Sequence, residues 1–310
     1  MRVKGYAVES VCEVLRSMGC PIAARTYRAW KSSKGPCERD RSDAALTDAL
    51  LSTRGKPESL YGRRKMTAYL RRQGFDVAAC TVHRLMGLLG MSGVRRGKPL
   101  TTTIPSKNGK RAGDLLDRDF TASEPNSRWV ADFTYVRTWS GFVFVAFVVD
   151  CFAQRIVAWN ASTTRTAQLV LTAAKMALFE RERQARPAGP GLIHHSDAGS
   201  QYTSIAFVAH LDLEGVHPSI GSVGDAYDNA LMESIIGLYK VEAVHSGVFC
   251  ATPLQSLDEV EKLTGDWVHW WNHRRLHGVL GHRTPAEAED AYYENHDPTG
   301  SPKTDPAQIP

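Results

Sequence analysis

The chain has 310 residues, 43% of them hydrophobic and 23% charged, which excludes a disordered chain and leaves room for more than one domain. Its longest apolar run, 142–149, ends at Asp150, far short of the ~20 residues a membrane span needs, and the first residues lack the apolar segment of a signal peptide. The net charge of +5 hides an asymmetry: residues 1–120 carry 24 Lys/Arg against 11 Asp/Glu, and residues 121–310 carry 14 against 22. A basic arm joined to an acidic remainder points to a polyanion, nucleic acid first, handled by something that needs carboxylates. The six cysteines (12, 20, 37, 80, 151, 250) form no Cys-x-x-Cys pair and are expected to be reduced thiols of a cytosolic protein.

In the basic part, Val8, Val11, Cys12, Leu15 and Met18 recur at helical spacing, Gly19-Cys20-Pro21 breaks the pattern, and Ile22, Ala23, Tyr27 and Trp30 form a second stripe. A clearer pair follows. Met66, Tyr69 and Leu70 lie behind Arg63-Arg64-Lys65, Gln73-Gly74-Phe75-Asp76 makes a turn, and Val82, Leu85, Met86 and Leu89 close at Gly90. Two short Arg-rich helices joined by a Gly-containing turn suit a helix-turn-helix DNA reader, or any small bundle with a solvated basic face. From 92 to 125 periodicity stops in favour of Gly, Pro, Lys and Arg, a basic linker that tracks phosphates or only spaces two domains.

Residues 129–138 and 142–151 predict a hairpin around Trp139-Ser140-Gly141, and 155–162 a third strand. A helix over 166–183, a short strand over 192–196, a helix over 203–213, a strand over 217–220 and a helix over about 228–244 follow. A long helix over about 257–277 and a shorter one after Pro285 complete the pattern. The fold class is α/β, a mixed sheet with helices on its faces, preceded by a small all-α region.

Three acids stand out by placement. Asp132 interrupts the first strand, Asp197 ends the fourth, and Glu233 lies one turn into the helix that starts near Asp228. A sheet with a helix over it can bring such acids together, and hard divalent cations such as Mg²⁺ take oxygen ligands of this kind. A lone strand acid is more often a salt-bridged structural residue. On helical spacing, Asn229, Glu233, Gly237 and Lys240 share one face.

At this point the sequence resembles a known family. Thirty-five residues separate Asp197 from Glu233, the D,D-35-E spacing of retroviral-type integrases and many insertion-sequence transposases. The words Trp129-Val-Ala-Asp-Phe-Thr-Tyr135, His195-Ser-Asp-Ala-Gly-Ser-Gln-Tyr202 and Gly224-Asp-Ala-Tyr-Asp-Asn-Ala-Leu-Met-Glu233 are similar to the integrase-core motifs of the insertion-sequence-three family. So is Arg275-Leu-His-Gly-Val-Leu-Gly-His-Arg-Thr-Pro-Ala-Glu287, and Tyr61-Gly-Arg-Arg-Lys65 resembles the helix-turn-helix element that precedes the core in the family's second reading frame.

The resemblance implies an RNase H-like catalytic core and a polynucleotidyl transferase. Asp132, Asp197 and Glu233 would be its catalytic, metal-holding triad, taking two Mg²⁺ ions or Mn²⁺ in their place, and Lys240 would match the family's basic residue on the same helix. The partners implied are double-stranded DNA (element ends and target), further copies of the chain on paired ends, and the upstream reading-frame protein, separate or fused. The expected location is the bacterial cytoplasm, on the nucleoid. Arg63, Arg64, Lys65, Arg84, Arg95 and Arg96, with Asn229, Arg274 and Arg275, are the expected DNA contacts. Ala198 departs from the pattern, because relatives often carry a basic or polar residue there, which puts DNA handling in doubt rather than chemistry.

The domain division expected is a helical segment 1–56, a helix-turn-helix region 57–92, a linker 93–125, a catalytic core with C-terminal helices 126–290 and a tail 291–310. Two rival readings remain open, a non-catalytic DNA-binding regulator that acts only with the upstream subunit and a nuclease for RNA–DNA hybrids. Smaller features have bland readings. His269, His273 and His277 could clasp zinc but suit packing better, Trp267, Trp270 and Trp271 read as core, Asp228 as a helix N-cap and Asp150 as a strand-end residue.

Overall fold

The computed structural model describes residues 6–32, 35–95, 120–197, 201–202, 204–220, 229–250 and 253–296. The chain divides into two compact units, Met1–Ser52 and Thr53–Pro310. Among the described residues, no helix is long and apolar enough to cross a membrane.

The first unit holds α1 (Val8–Ser17), α2 (Ala24–Ser32) and α3 (Glu38–Leu51). Gly19 turns the chain out of α1 at φ +83°, a conformation that favours glycine, and an Arg28–Glu9 ion pair links α2 back to α1. The third helix falls within the expected helical segment 1–56 but beyond its two apolar stripes. Its first turn is closed by a reciprocal cap between Cys37 and Asp40.

The second unit opens with a 3₁₀ turn at Pro57–Leu60, then α4 (Arg63–Arg72) and α5 (Ala79–Leu88), the expected helix pair. Met66 and Leu70 of α4 and Val82, Leu85 and Met86 of α5 are buried. Strands β1 (Arg128–Thr138), β2 (Gly141–Asp150) and β3 (Arg155–Ser162) form an antiparallel meander. Next come α6 (Ala167–Arg183), β4 (Ile193–Ser196), α7 (Ile205–Leu213) and β5 (His217–Ile220), the two strands parallel to β1 and to each other. The sheet order is β3-β2-β1-β4-β5, so β1 is central. This is the RNase H-like arrangement expected.

One face carries Trp129, Ala131, Ala146, Val148 and Ala158 against Leu169, Val170, Ala173 and Ala177 of α6 and Phe207 and Leu211 of α7. The opposite face is covered by α8 (Ala230–Leu238) with its π-helical extension Tyr239–Val244, and by α9 (Leu257–His273). There Phe147 of β2 meets Tyr239 and Trp267 edge-on, at ring distances of 5.1 and 6.1 Å. Trp267, Trp270 and Trp271 are core residues, each at most 2% exposed.

The long helix stops at His273, four residues before the expected end. The N–H groups of Arg274 and Arg275 both return to the Trp270 carbonyl, at 2.9 and 2.7 Å. The Tyr61 hydroxyl accepts from the Leu276 N–H at 3.0 Å and donates to the Arg274 carbonyl at 3.2 Å. Its ring stacks on Trp270, and Arg274 pairs with the buried Glu58 at 2.7 Å, so the segment before α4 is docked on the end of α9.

A 3₁₀ turn at Gly278–Leu280 leads into α10 (Pro285–Asn295), whose start is closed by reciprocal bonds between Thr284 and Glu287. Asp150 is a structural residue at the end of β2. The fully buried Arg181 of α6 donates to Asp150 at 3.2 Å and to Glu289 of α10 at 2.5 Å, and Arg155 of β3 also pairs with Glu289. One ionic network therefore joins β2, β3, α6 and α10.

Candidate active site and DNA-facing surface

Alternation along β1 sets where Asp132 looks. Trp129, Ala131 and Phe133 belong to the α6 face, so Asp132 lies on the other, directly across from Phe147 and beneath α8. The neighbouring parallel strand β4 pairs Ser196 with Ala131, which brings the next residue, Asp197, out of the sheet at the level of Asp132. Glu233 projects from the first turn of α8 and is exposed, as is Asp197.

Three acids from three elements thus face one region, and their charges act on one another. Burial, then the Asp197 charge, and less strongly the Glu233 charge, push the Asp132 carboxyl up to about 7, against the opposing pull of the Phe133 N–H and Lys240. The Phe133 N–H donates to an Asp132 oxygen at 2.7 Å. All three donors are hard carboxylate oxygens whose charges repel one another, which suits a divalent cation in kind. In the present arrangement, among the described residues, no three His, Cys, Asp or Glu side chains converge closely enough to hold an ion.

Asn229 is placed differently from its expected DNA-facing role. It occupies the N-cap position of α8 and is 7% exposed, and its side-chain amide donates to the Ala131 carbonyl at 3.1 Å. The helix that bears Glu233 is thereby tied to the residue before Asp132. Asp228, expected as the cap, lies outside the described residues, as do Ala198 and Arg96.

From Tyr239 the helix widens to π geometry, so Lys240 departs from the straight-helix face shared by Glu233. Its ammonium lies over the Tyr135 ring, 5.0 Å from the centroid, and its charge still reaches Asp132.

The histidines that precede Asp197 are buried. His195 hydrogen-bonds Ser219 through Nδ1 at 2.9 Å. His194 packs edge-on to Phe207, and burial pushes its imidazole down to about 4, which keeps it neutral. His277 leaves the α9 helix and packs against Trp271, so the three C-terminal histidines form no zinc clasp.

The basic residues separate into two groups. Arg63, Arg64 and Arg95 are exposed, and Arg84 is half-buried on α5. Lys65 and Arg275 turn inward, contrary to the expectation that they meet DNA. The Arg275 guanidinium is 4% exposed, makes a two-pronged pair with Glu242 and lies over the Trp270 and Trp271 rings. Lys65 lies over the Tyr61 ring, and burial, with Arg275 close by, lowers its ammonium to about 8. Arg274 is half exposed but paired with Glu58. Pairing and burial consume these charges inside the protein, where a basic pattern in sequence cannot distinguish them from surface charges.

Sequence comparison places known proteins on this geometry. Residues 122–226 and 214–285 match two families described as integrase core domain, and residues 43–99 match an HTH-like domain. The chain is 49% identical over 292 residues to the transposase for insertion sequence element IS629 of Shigella sonnei, covering 93% of both. It is 29% identical over 285 residues to transposase InsF for insertion sequence IS3A of Escherichia coli (strain K12), covering 92% of this chain and 94% of that one. Among solved structures, a chain of the simian T-cell lymphotropic virus intasome in complex with PP2A regulatory subunit B56 gamma aligns at 14% identity with a TM-score of 0.47, covering 81% of this chain and 77% of that one.

Proposed function

On the premise that this chain belongs to the insertion-sequence-three family of transposases, with an integrase core and an HTH-like domain, we propose that it cuts and rejoins DNA strands at the ends of an insertion sequence in a Mg²⁺-dependent reaction. The observation that carries this is the register that sets Asp197 beside Asp132, together with the Asn229 bond that fixes the Glu233 helix to the same strand.

Asp132, Asp197 and Glu233 would hold the metal, and Mn²⁺ would serve in its place. Holding it requires Asp197 and Glu233 to close on Asp132. When bound, the metal stabilises the attacking and leaving oxygens of an in-line phosphodiester displacement. Water attacks first and the freed 3′-hydroxyl second, so no protein nucleophile is needed. Lys240, held beside Tyr135 at the edge of the site, is suited to a DNA phosphate. Arg63, Arg64, Arg84 and Arg95 are the remaining exposed or half-buried cations for element-end DNA, with Arg96 in the adjoining segment. Assembly of several copies on paired ends, action with an upstream reading-frame protein, and a place in the bacterial cytoplasm belong to the same proposal.

The test is strand cleavage and joining on labelled linear DNA that carries the element's own ends, with Mg²⁺ or Mn²⁺. The expected products are nicked and joined strands, absent with Glu233→Gln. Product formed equally by Glu233→Gln would sink the triad. Binding to the ends with no product from the unaltered chain, alone or with the upstream protein, would replace the catalytic reading with a regulatory one.

A further inference from the structure

A cleft of about 410 Å³ lies between α4, the start of α5 and the turn before α10. Its walls carry Arg64, Arg71 and Arg72 from α4 and His282 and Arg283 from the turn, four guanidiniums and an imidazole around one space. Three of these cations have donors to spare. Among the described residues Arg64 makes no hydrogen bond or ion pair, and Arg283 uses only Nε, on the Leu280 carbonyl at 3.2 Å. Arg71 likewise spends only Nε, on the Val77 carbonyl at 3.0 Å, whereas Arg72 at the rim is paired with Glu287 at 2.6 Å.

The helix end at this cleft adds to the positive field. Ala79, the first residue of α5, lines it, and the N-cap residue Ala78 has no side chain that can satisfy the free N–H groups of the first turn. Uncapped amides and the positive end of a ten-residue helix favour an anion.

The turn itself is held in an unusual shape. Gly281 and His282 both have φ +64°, the His282 N–H returns to the His277 carbonyl at 2.8 Å, and His277 and Arg283 form an isolated antiparallel bridge. Left-handed backbone is unfavourable for a histidine and persists where surrounding structure imposes it. Here it accompanies a buried His282 Nδ1 with no partner among the described residues.

We propose that this cleft is a phosphate seat for the DNA backbone, shared between the helix-turn-helix and the turn that follows α9. This rests on the DNA-transposase reading and extends it. A duplex engaged by α5 would be gripped by a residue of the C-terminal part of the catalytic unit as well, because the docking of Tyr61 on Trp270 holds the two walls together.

The test is binding of a short labelled duplex carrying an element end, followed across a salt titration by fluorescence anisotropy. Arg64→Gln and Arg283→Gln should each weaken binding several-fold at matched salt and reduce the log–log salt slope by about 0.9, the value for one lost phosphate contact. Arg283→Lys should keep most of the slope. Lys175→Gln, an exposed α6 residue outside the cleft, controls for the loss of one positive charge. Thermal melts establish that each variant is folded. Slopes equal to that of Lys175→Gln would overturn the seat while leaving the strand-transfer reading intact. Calorimetric binding of inorganic phosphate lost in both variants, with an unchanged DNA slope, would make the cleft a site for free phosphate and also overturn the proposal. A chain that joins strands yet shows no phosphate contact here, and one that binds here yet joins nothing, separate the two proposals.

Discussion

The side-chain amide of Asn229 donates to the carbonyl of Ala131 at 3.1 Å, so the start of α8 is fastened to the strand residue immediately before Asp132. Two acids of the proposed triad are thereby positioned by a residue that is not an acid. Asn229→Ala should lower strand-transfer rate by roughly 10–100-fold, the range seen when groups supporting metal ligands are removed, with duplex affinity nearly unchanged. Asn229→Asp should be worse, because it removes the donor and adds negative charge beside Asp132. Equal loss of rate and of DNA affinity would mean that Asn229 touches DNA instead.

Asp132 gives a dependence on pH with a definite sign. Its carboxyl is raised to about 7, so between the unfolded value near 3.8 and about 7 the native state binds more protons than the unfolded state, and stability falls as pH rises through that window. Asp132→Asn should therefore melt at a higher temperature than the unaltered chain at pH 8 without divalent ions, by on the order of 1–2 kcal/mol, the gap closing toward pH 4. Mg²⁺ should stabilise the unaltered chain and not the variant. A gap independent of pH would contradict the burial of charge at this position.

Arg275 and Arg183 offer a contrast between paired charges inside and outside. Arg275→Ala leaves the buried Glu242 carboxylate without its partner and should cost about 3–5 kcal/mol in denaturant unfolding. Arg183→Ala removes an exposed, solvent-screened pair with Glu180 and should leave the denaturant midpoint unchanged. Arg275→Lys should recover little, since an ammonium cannot make the two-pronged contact and stacks poorly on Trp271.

The Tyr61 hydroxyl is the link between the helix-turn-helix and the end of α9. Tyr61→Phe keeps the ring against Trp270 but strands the buried Leu276 N–H and the Arg274 carbonyl, and should cost about 1–3 kcal/mol. Hydrogen exchange should rise at Leu276 while the β1 amides stay protected. Unchanged exchange at Leu276 would show that the docking does not depend on this bond.

Much of the catalytic unit was legible because its signals are local. Runs of β-branched and aromatic residues marked β1 and β2, the Trp139-Ser140-Gly141 turn closed the hairpin, and Pro285 announced the start of α10. What failed to show depends on distant partners or on weak patterning. In α3, charged residues crowd the first turn and Ala44, Leu46, Ala49 and Leu50 make only a faint stripe, so the expected helical segment 1–56 gives this helix no bounds of its own. The early end of α9 is imposed from more than 200 residues away by Tyr61. Arg274 and Arg275 are identical in sequence terms, and only packing sends one toward Glu58 and the other between Trp271 and Glu242. Asn229 carried a signal that could have been found, a side-chain donor beside the expected helix start, four residues before the acid it supports.

The ionic network centred on Arg181 sets how much of the chain can be trimmed. Glu289 is the only acid among the described residues that pairs with both Arg181 and Arg155, and it comes from the last helix. A chain cut before Pro285 would leave the fully buried Arg181 with Asp150 as its one ion-pair partner among the described residues. The helix that carries Glu289 is therefore a keystone, without which Arg181 keeps only half of its ionic pairing in a dry interior.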